Sequence, residues 1–196
     1  MKRLSSSKPT ADEGLSDYQQ KLVDLVDGDC AISVLADQMY WLCELGSSLS
    51  TLQIDTIHAP YTWSIRQVFE HCANAERVFG YRMLRIAAAD ETDLPQWDEN
   101  AYADRRFGLG NFVHIVTELG SLRQANVMLL RRVVPAAWDR VGTIDGQPIS
   151  MRAIAWVAAG HLAHHLQIVE ERCGVRVDRV APIQKKKSAD ETTSGS

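Results

Sequence analysis

The sequence predicts an all-α protein built as a four-helix bundle. Four long segments, about 29–48, 64–89, 111–133 and 150–173, repeat apolar residues at helical spacing. Nothing between them reads as a convincing pair of strands. With 196 residues, 45% hydrophobic and 23% charged, the chain has the size and composition of one soluble domain with a substantial core.

Residues 1–14 are rich in Ser, Lys and charge and predict a disordered tail. The bundle domain is expected over 15–177, and residues 178–196, which include Lys185-Lys186-Lys187 and an acidic stretch, predict a second solvated tail. A short amphipathic piece, Tyr18 to Val26, ends at Asp27-Gly28-Asp29. The first long helix carries Ile32, Leu35, Met39, Leu42 and Cys43 on one side. The second has Ser64 placed as an N-cap before Ile65, Val68, Phe69, Cys72, Ala75, Phe79, Met83 and Ile86. A connection from Asp90 to Gly110 follows, of the length that carries function or short helices of its own. That length also admits an up-down-down-up path in place of short hairpins. The third helix turns Phe112, Ile115, Val116, Leu119, Leu122, Leu129 and Leu130 inward and stops at Pro135. The fourth starts near Ser150, after the turn-like Asp145-Gly146-Gln147-Pro148, and ends at Cys173-Gly174, where glycine suits a left-handed cap.

Bulk properties exclude several functions. A net charge of −4 gives no general attraction to nucleic acid or to anionic membrane. No apolar run approaches the ~20 residues of a membrane helix. The basic start has no apolar segment behind it, so a signal peptide is not expected and a cytoplasmic location is. Cys30, Cys43, Cys72 and Cys173 are widely spaced without a Cys-x-x-Cys, which argues against a disulfide framework; Cys43 and Cys72 read as small buried hydrophobes.

The chemistry concentrates on histidine. His161 and His165 are one helical turn apart and point the same way, inside the apolar stripe Ile154, Val157, His161, His165, Ile168. His71 lies in another apolar helix. Burying an imidazole without a partner costs about 1–3 kcal/mol, so three on apolar faces need a shared explanation. A divalent metal that accepts one nitrogen from each is such an explanation, and it leaves positions for water or substrate. Glu76, Asp98 and Glu99 are candidate acceptors for the remaining ring N–H groups. The competing reading is that the histidines are hydrogen-bonded core residues. His164 competes with His165 at three-residue spacing, about 60° round the helix from His161; His58 and His114 have no partner signal. Leu162 follows His161, so the His-Glu-x-x-His zinc protease motif is absent, as are a nucleophile elbow, a phosphate loop and paired Glu-x-x-His motifs.

The stretch Tyr61-Thr62-Trp63-Ser64-Ile65-Arg66-Gln67-Val68-Phe69-Glu70-His71, its continuation Glu76 to Ala87, Leu94-Pro95 with Asp98, Trp138-Asp139-Arg140-Val141-Gly142, and Gly160-His161 with His164-His165 closely resemble the DinB-like superfamily. The match in order and spacing runs from about Tyr18 to Gly174. The resemblance implies an up-down-down-up bundle and a metal, nickel, zinc or iron, held by His71, His161 and His165. It also implies a homodimer and, in some relatives, chemistry with a low-molecular-weight thiol such as mycothiol or bacillithiol. Asn74 and Leu162 depart from the pattern, where relatives often carry acidic residues. The expected function is a metal-dependent enzyme that activates a thiol or water toward a small-molecule substrate, as an S-transferase or in hydrolase-like chemistry. Arg77, Arg82, Arg105 or Arg123 would orient an anion in it. The alternative is a non-catalytic metal-binding structural or stress-response protein. Trp41, Trp63, Trp97, Trp138 and Trp156 include candidate interface anchors.

Overall fold

Four helices pack around one core because each presents a continuous apolar face. The computed structural model describes residues 5–105 and 110–179. Its elements are α1 (Asp17–Asp24), α2 (Ala31–Ser48), α3 (Thr51–Asp55), α4 (Ile65–Ala87), α5 (Glu99–Arg105), α6 (Phe112–Arg131), β1 (Val141–Ile144), β2 (Gln147–Ser150) and α7 (Met151–Cys173), with a 3₁₀ turn at Pro135–Asp139. The bundle is α2, α4, α6 and α7.

The helix ends follow the local chemistry. Ser64 accepts from Gln67 N while the Gln67 side chain accepts from Ser64 N, a reciprocal capping box that starts α4. Gly174, at φ 62°, ends α7 in the left-handed conformation that a Cβ disfavours.

Interhelical pairs fix the path. Gln38 bonds Arg123 and Gly46 packs on Val116, so α2 and α6 are antiparallel. Arg66 reaches Gly110 O, Arg77 bonds Glu118 and Asn126 meets Glu76, so α4 and α6 run parallel. Gln38 donates to Ala159 O and Trp41 to Glu170, which makes α2 and α7 parallel. Arg172, late in α7, donates to Trp63 O at the start of α4, so these two are antiparallel. The result is up-down-down-up, with the 88–111 connection as the crossover that two parallel neighbours require.

The expectation that no strands pair is corrected. β1 and β2 form an antiparallel hairpin closed by Asp145-Gly146, both at positive φ (51° and 73°). Asp-Gly between short apolar segments is a strong hairpin signal, and here it outweighs the brevity of the strands. Leu94 adds a third edge, accepting from Asp145 N and donating to Thr143 O, which ties the crossover to the hairpin. The described part of the N-terminal stretch, residues 5–14, also differs from a disordered tail. Trp156 Nε1 donates to Ser6 O and Ser7 O, and Ser150 N donates to Glu13 O. Buried backbone and indole groups on α7 find their partners there. The tail expectations for 1–4 and 180–196 lie outside the described residues. Cys72 is buried as expected, whereas Cys43 is exposed. No described helix is long and apolar enough to cross a membrane.

Candidate metal centre

The antiparallel contact of α4 with α7 brings the three histidines together. His71 sits two turns into α4, and His161 and His165 lie midway along α7. His71 Nε2 is 2.9 Å from His161 Nε2 and 3.1 Å from His165 Nε2. All three ring nitrogens lie within 4.8 Å of one another, a group able to hold a metal ion. His164 is not in the group; its ring packs edge-on against His165 at 5.2 Å.

Hydrogen bonding alone does not satisfy this cluster. A ring nitrogen carries either one proton or one lone pair, so His71 Nε2 can make a good hydrogen bond to only one of its two neighbours. Protonation offers no relief at neutral pH. Burial pulls His71 down to about 4, and pulls His161 and His165 well below the usual imidazole range, with the neighbouring histidines acting in the same direction. Three neutral nitrogen donors facing one point are the donor set that zinc, nickel or iron takes. His71, His161 and His165 would together hold such an ion through these nitrogens.

The surroundings are aromatic on one side. Trp97 stacks on the His71 ring (5.9 Å between centroids, 7° between planes), Trp63 lies 5.2 Å away, and Phe79 meets His161 at 5.5 Å. Glu99, in the first turn of α5, places Oε2 3.9 Å from His71 Nε2. It therefore faces the Nε2 side of the ring, toward the nitrogen cluster, and not Nδ1, which is buried without a hydrogen-bond partner among the described residues. The expected acceptor at that ring nitrogen is thus not provided by Glu76, Asp98 or Glu99. Glu76 is buried against Arg123 and Asn126, and Asp98 accepts from Ala101 N. Cys72, next to His71, is no alternative donor: burial pushes its thiol well up, and it packs into the core.

Three of the four candidate anion-orienting arginines are engaged by other groups. Arg123 is fully buried, bonded to Glu76 Oε1 at 2.6 Å, to Gln38 and to Ala158 O. Arg82 is buried and donates to Pro95 O, and Arg77 pairs with Glu118. Arg105 lies in the last turn of α5. Of the tryptophans considered as interface anchors, Trp41, Trp138 and Trp156 are buried in the core. Trp63 and Trp97 are what reasoning from the sequence missed at the site, whereas Glu99 was expected beside the cluster but on the other nitrogen of the ring. Trp63 had a signal, as the residue just before the Ser64 cap; Trp97 and Glu99 lie on the crossover, where periodicity says nothing about direction.

Comparison with known proteins follows the same lines. A family model described as the DinB superfamily matches residues 42–169. The chain is similar to the solved structure of YfiT from Bacillus subtilis, described as a probable metal-dependent hydrolase with an unusual four-helix bundle topology. The TM-score is 0.61 at 17% identity, covering 89% of this chain and 98% of that one. Among curated proteins none matches the chain.

Proposed function

This chain belongs to the DinB superfamily, and from that premise we propose that it is a divalent-metal-dependent enzyme of hydrolase-like or thiol-transfer chemistry. His71, His161 and His165 would be the ligands. The observation that carries the reading is the convergence of three neutral Nε2 atoms that hydrogen bonds among themselves cannot satisfy. The fold shared with YfiT, described as a probable metal-dependent hydrolase, supports it. Nickel, zinc and iron all accept this donor set.

Bound there, the ion would supply Lewis acidity, lowering the pKa of a coordinated water or low-molecular-weight thiol into the neutral range. The chain's own residues do the rest. Trp97 and Trp63 cover the His71 ring and keep water from that side. Glu99 Oε2 faces the nitrogen cluster, half-exposed, where it accepts a proton from the nucleophile and releases it toward solvent. Burial, with Asp98 beside it, holds the Glu99 carboxyl above the ordinary range, which suits an acceptor working nearer neutrality. Resemblance to the family adds a homodimer as the proposed assembly, which light scattering measures directly.

The test is an activity screen on metal-loaded and chelated protein. Aryl esters and amides serve as hydrolase probes, and a thiol with an electrophilic acceptor serves for transfer. Turnover abolished by chelation and by His161→Ala, and reduced about 10²–10⁴-fold in Glu99→Gln, is the expected result. Stoichiometric metal with no turnover on either panel would instead make the site structural.

A further inference from the structure

A groove of about 350 Å³ opens beside the triad, with His165 at one end and Arg172 at the other. Its walls are mostly apolar, formed by Tyr61, Trp63 and Val68 opposite Ile168 of α7. Both ends lie on one helix face, seven residues apart, which is on the order of 10 Å along the axis. Side chains on a helix lean toward its N-terminus, so the Arg172 guanidinium reaches back over the groove toward His165.

Arg172 differs from the arginines of the fold that sit in ion pairs, although Arg82 and Arg140 likewise meet only a backbone carbonyl. Arg66, Arg77, Arg85, Arg123, Arg152 and Arg179 each contact a carboxylate. Arg172 contacts none among the described residues. Its Nη2 donates to Trp63 O at 2.5 Å, its plane lies over the Tyr61 ring at 4.5 Å, and its buried Nε has no partner. A guanidinium has five N–H donors in a planar fork matched to a carboxylate. Here the ring and the carbonyl fix its position, and Nη1 has no hydrogen-bond partner among the described residues.

We propose that this groove binds a small organic carboxylate, its apolar or aryl body against Tyr61, Trp63 and Ile168 and its charged group on Arg172. The far end of such a molecule lies toward His165, so the group farthest from the carboxylate is the one presented to the nitrogen cluster. A groove of this volume is at the small end of ligand sites, which sets the substrate class at a compact monoanion rather than a polymer or peptide chain. The catalytic meaning rests on the metal reading above, but the anion site itself does not need the metal.

The experiment is calorimetric titration of the full chain with benzoate, phenylacetate, 3-phenylpropionate and 4-phenylbutyrate, each beside its neutral amide. It is run first on metal-free protein and then on zinc-loaded protein. At least one acid is expected to bind with a Kd below about 10 mM. Its amide should bind about tenfold more weakly or worse. Arg172→Gln should lower acid affinity by about tenfold while zinc affinity stays unchanged, and Arg172→Lys, which keeps the charge, should recover part of the loss. The acid–amide comparison needs no variant, so it decides even where Arg172→Gln melts early. Failure of every acid to bind, or acids and amides binding alike, or binding indifferent to Arg172, would overturn the anion site. Arg172-dependent binding in a protein that takes up neither zinc, nickel nor iron would keep the anion site and remove the metal reading instead.

Discussion

Each histidine of the triad is costly alone and useful only with the others. His71 and His161 are 3% and 6% exposed, and burial holds both neutral. Removing one ring leaves two nitrogens, too few to retain an ion against water and buffer. His71→Ala, His161→Ala and His165→Ala are each expected to lower bound metal from near one per chain to near zero, measured by elemental analysis after dialysis. The same burial sets a pH dependence for metal-free protein. His71 ionises near 4 in the fold and near 6.5 in the unfolded chain. Between those values the unfolded chain holds the extra proton, so stability is complete above about 6.5 and falls as pH drops toward 4, by about 1.4 kcal/mol per unit for this residue. Urea midpoints between pH 7 and 4.5 check the slope, to which His161 and His165 add in the same sense, and His71→Phe should remove only the share of His71. The histidine cluster was legible in the sequence because polar side chains on apolar stripes stand out. The direction of Glu99 was not, since a loop residue carries no face. Nor was the burial of Arg123, whose partner Glu76 sits on a helix far away in sequence.

Among the elements, α1 and α7 approach so closely that the contact has no room for a side chain. A Cβ on Gly160 would lie 2.1 Å from Leu22 O, a backbone atom that cannot swing aside. Gly160→Ala is expected to cost about 1–3 kcal/mol, read from denaturant melts, and to disturb His161 next to it. Gly146→Val, at φ 73° in the hairpin turn, should destabilise by about 1–3 kcal/mol through backbone strain although open space surrounds it. The long helices were legible because their apolar residues recur over five or six turns, and α4 and α7 also begin at a capping serine. The hairpin was not read, although Asp145-Gly146 announced it, because four-residue strands give too few alternations for a period to emerge. Helix α5 escaped for a related reason: none of its residues is buried, so it has no apolar stripe to find.

At the scale of the molecule, the up-down-down-up path makes α4 and α6 parallel neighbours, and the crossover this demands carries Trp97 and Glu99 over the cluster. Topology and site are therefore one problem. The core below is braced by Arg123, which joins α6 to Glu76 of α4, to Gln38 of α2 and to a carbonyl of α7. Arg123→Met would strand a buried carboxylate and is expected to cost about 3–5 kcal/mol in denaturant unfolding. Metal adds stability by linkage, about 2.7 kcal/mol at a free ion concentration one hundred times Kd, or roughly 5–10 °C in melting temperature. The measurement that tests the central claim most directly is metal content of tag-free protein, as purified and after reconstitution with nickel, zinc and iron, with His161→Ala beside it. The account predicts close to one ion per chain, absent from the variant. A wild-type chain that takes up none of the three, or a variant that holds as much as the wild type, would contradict it.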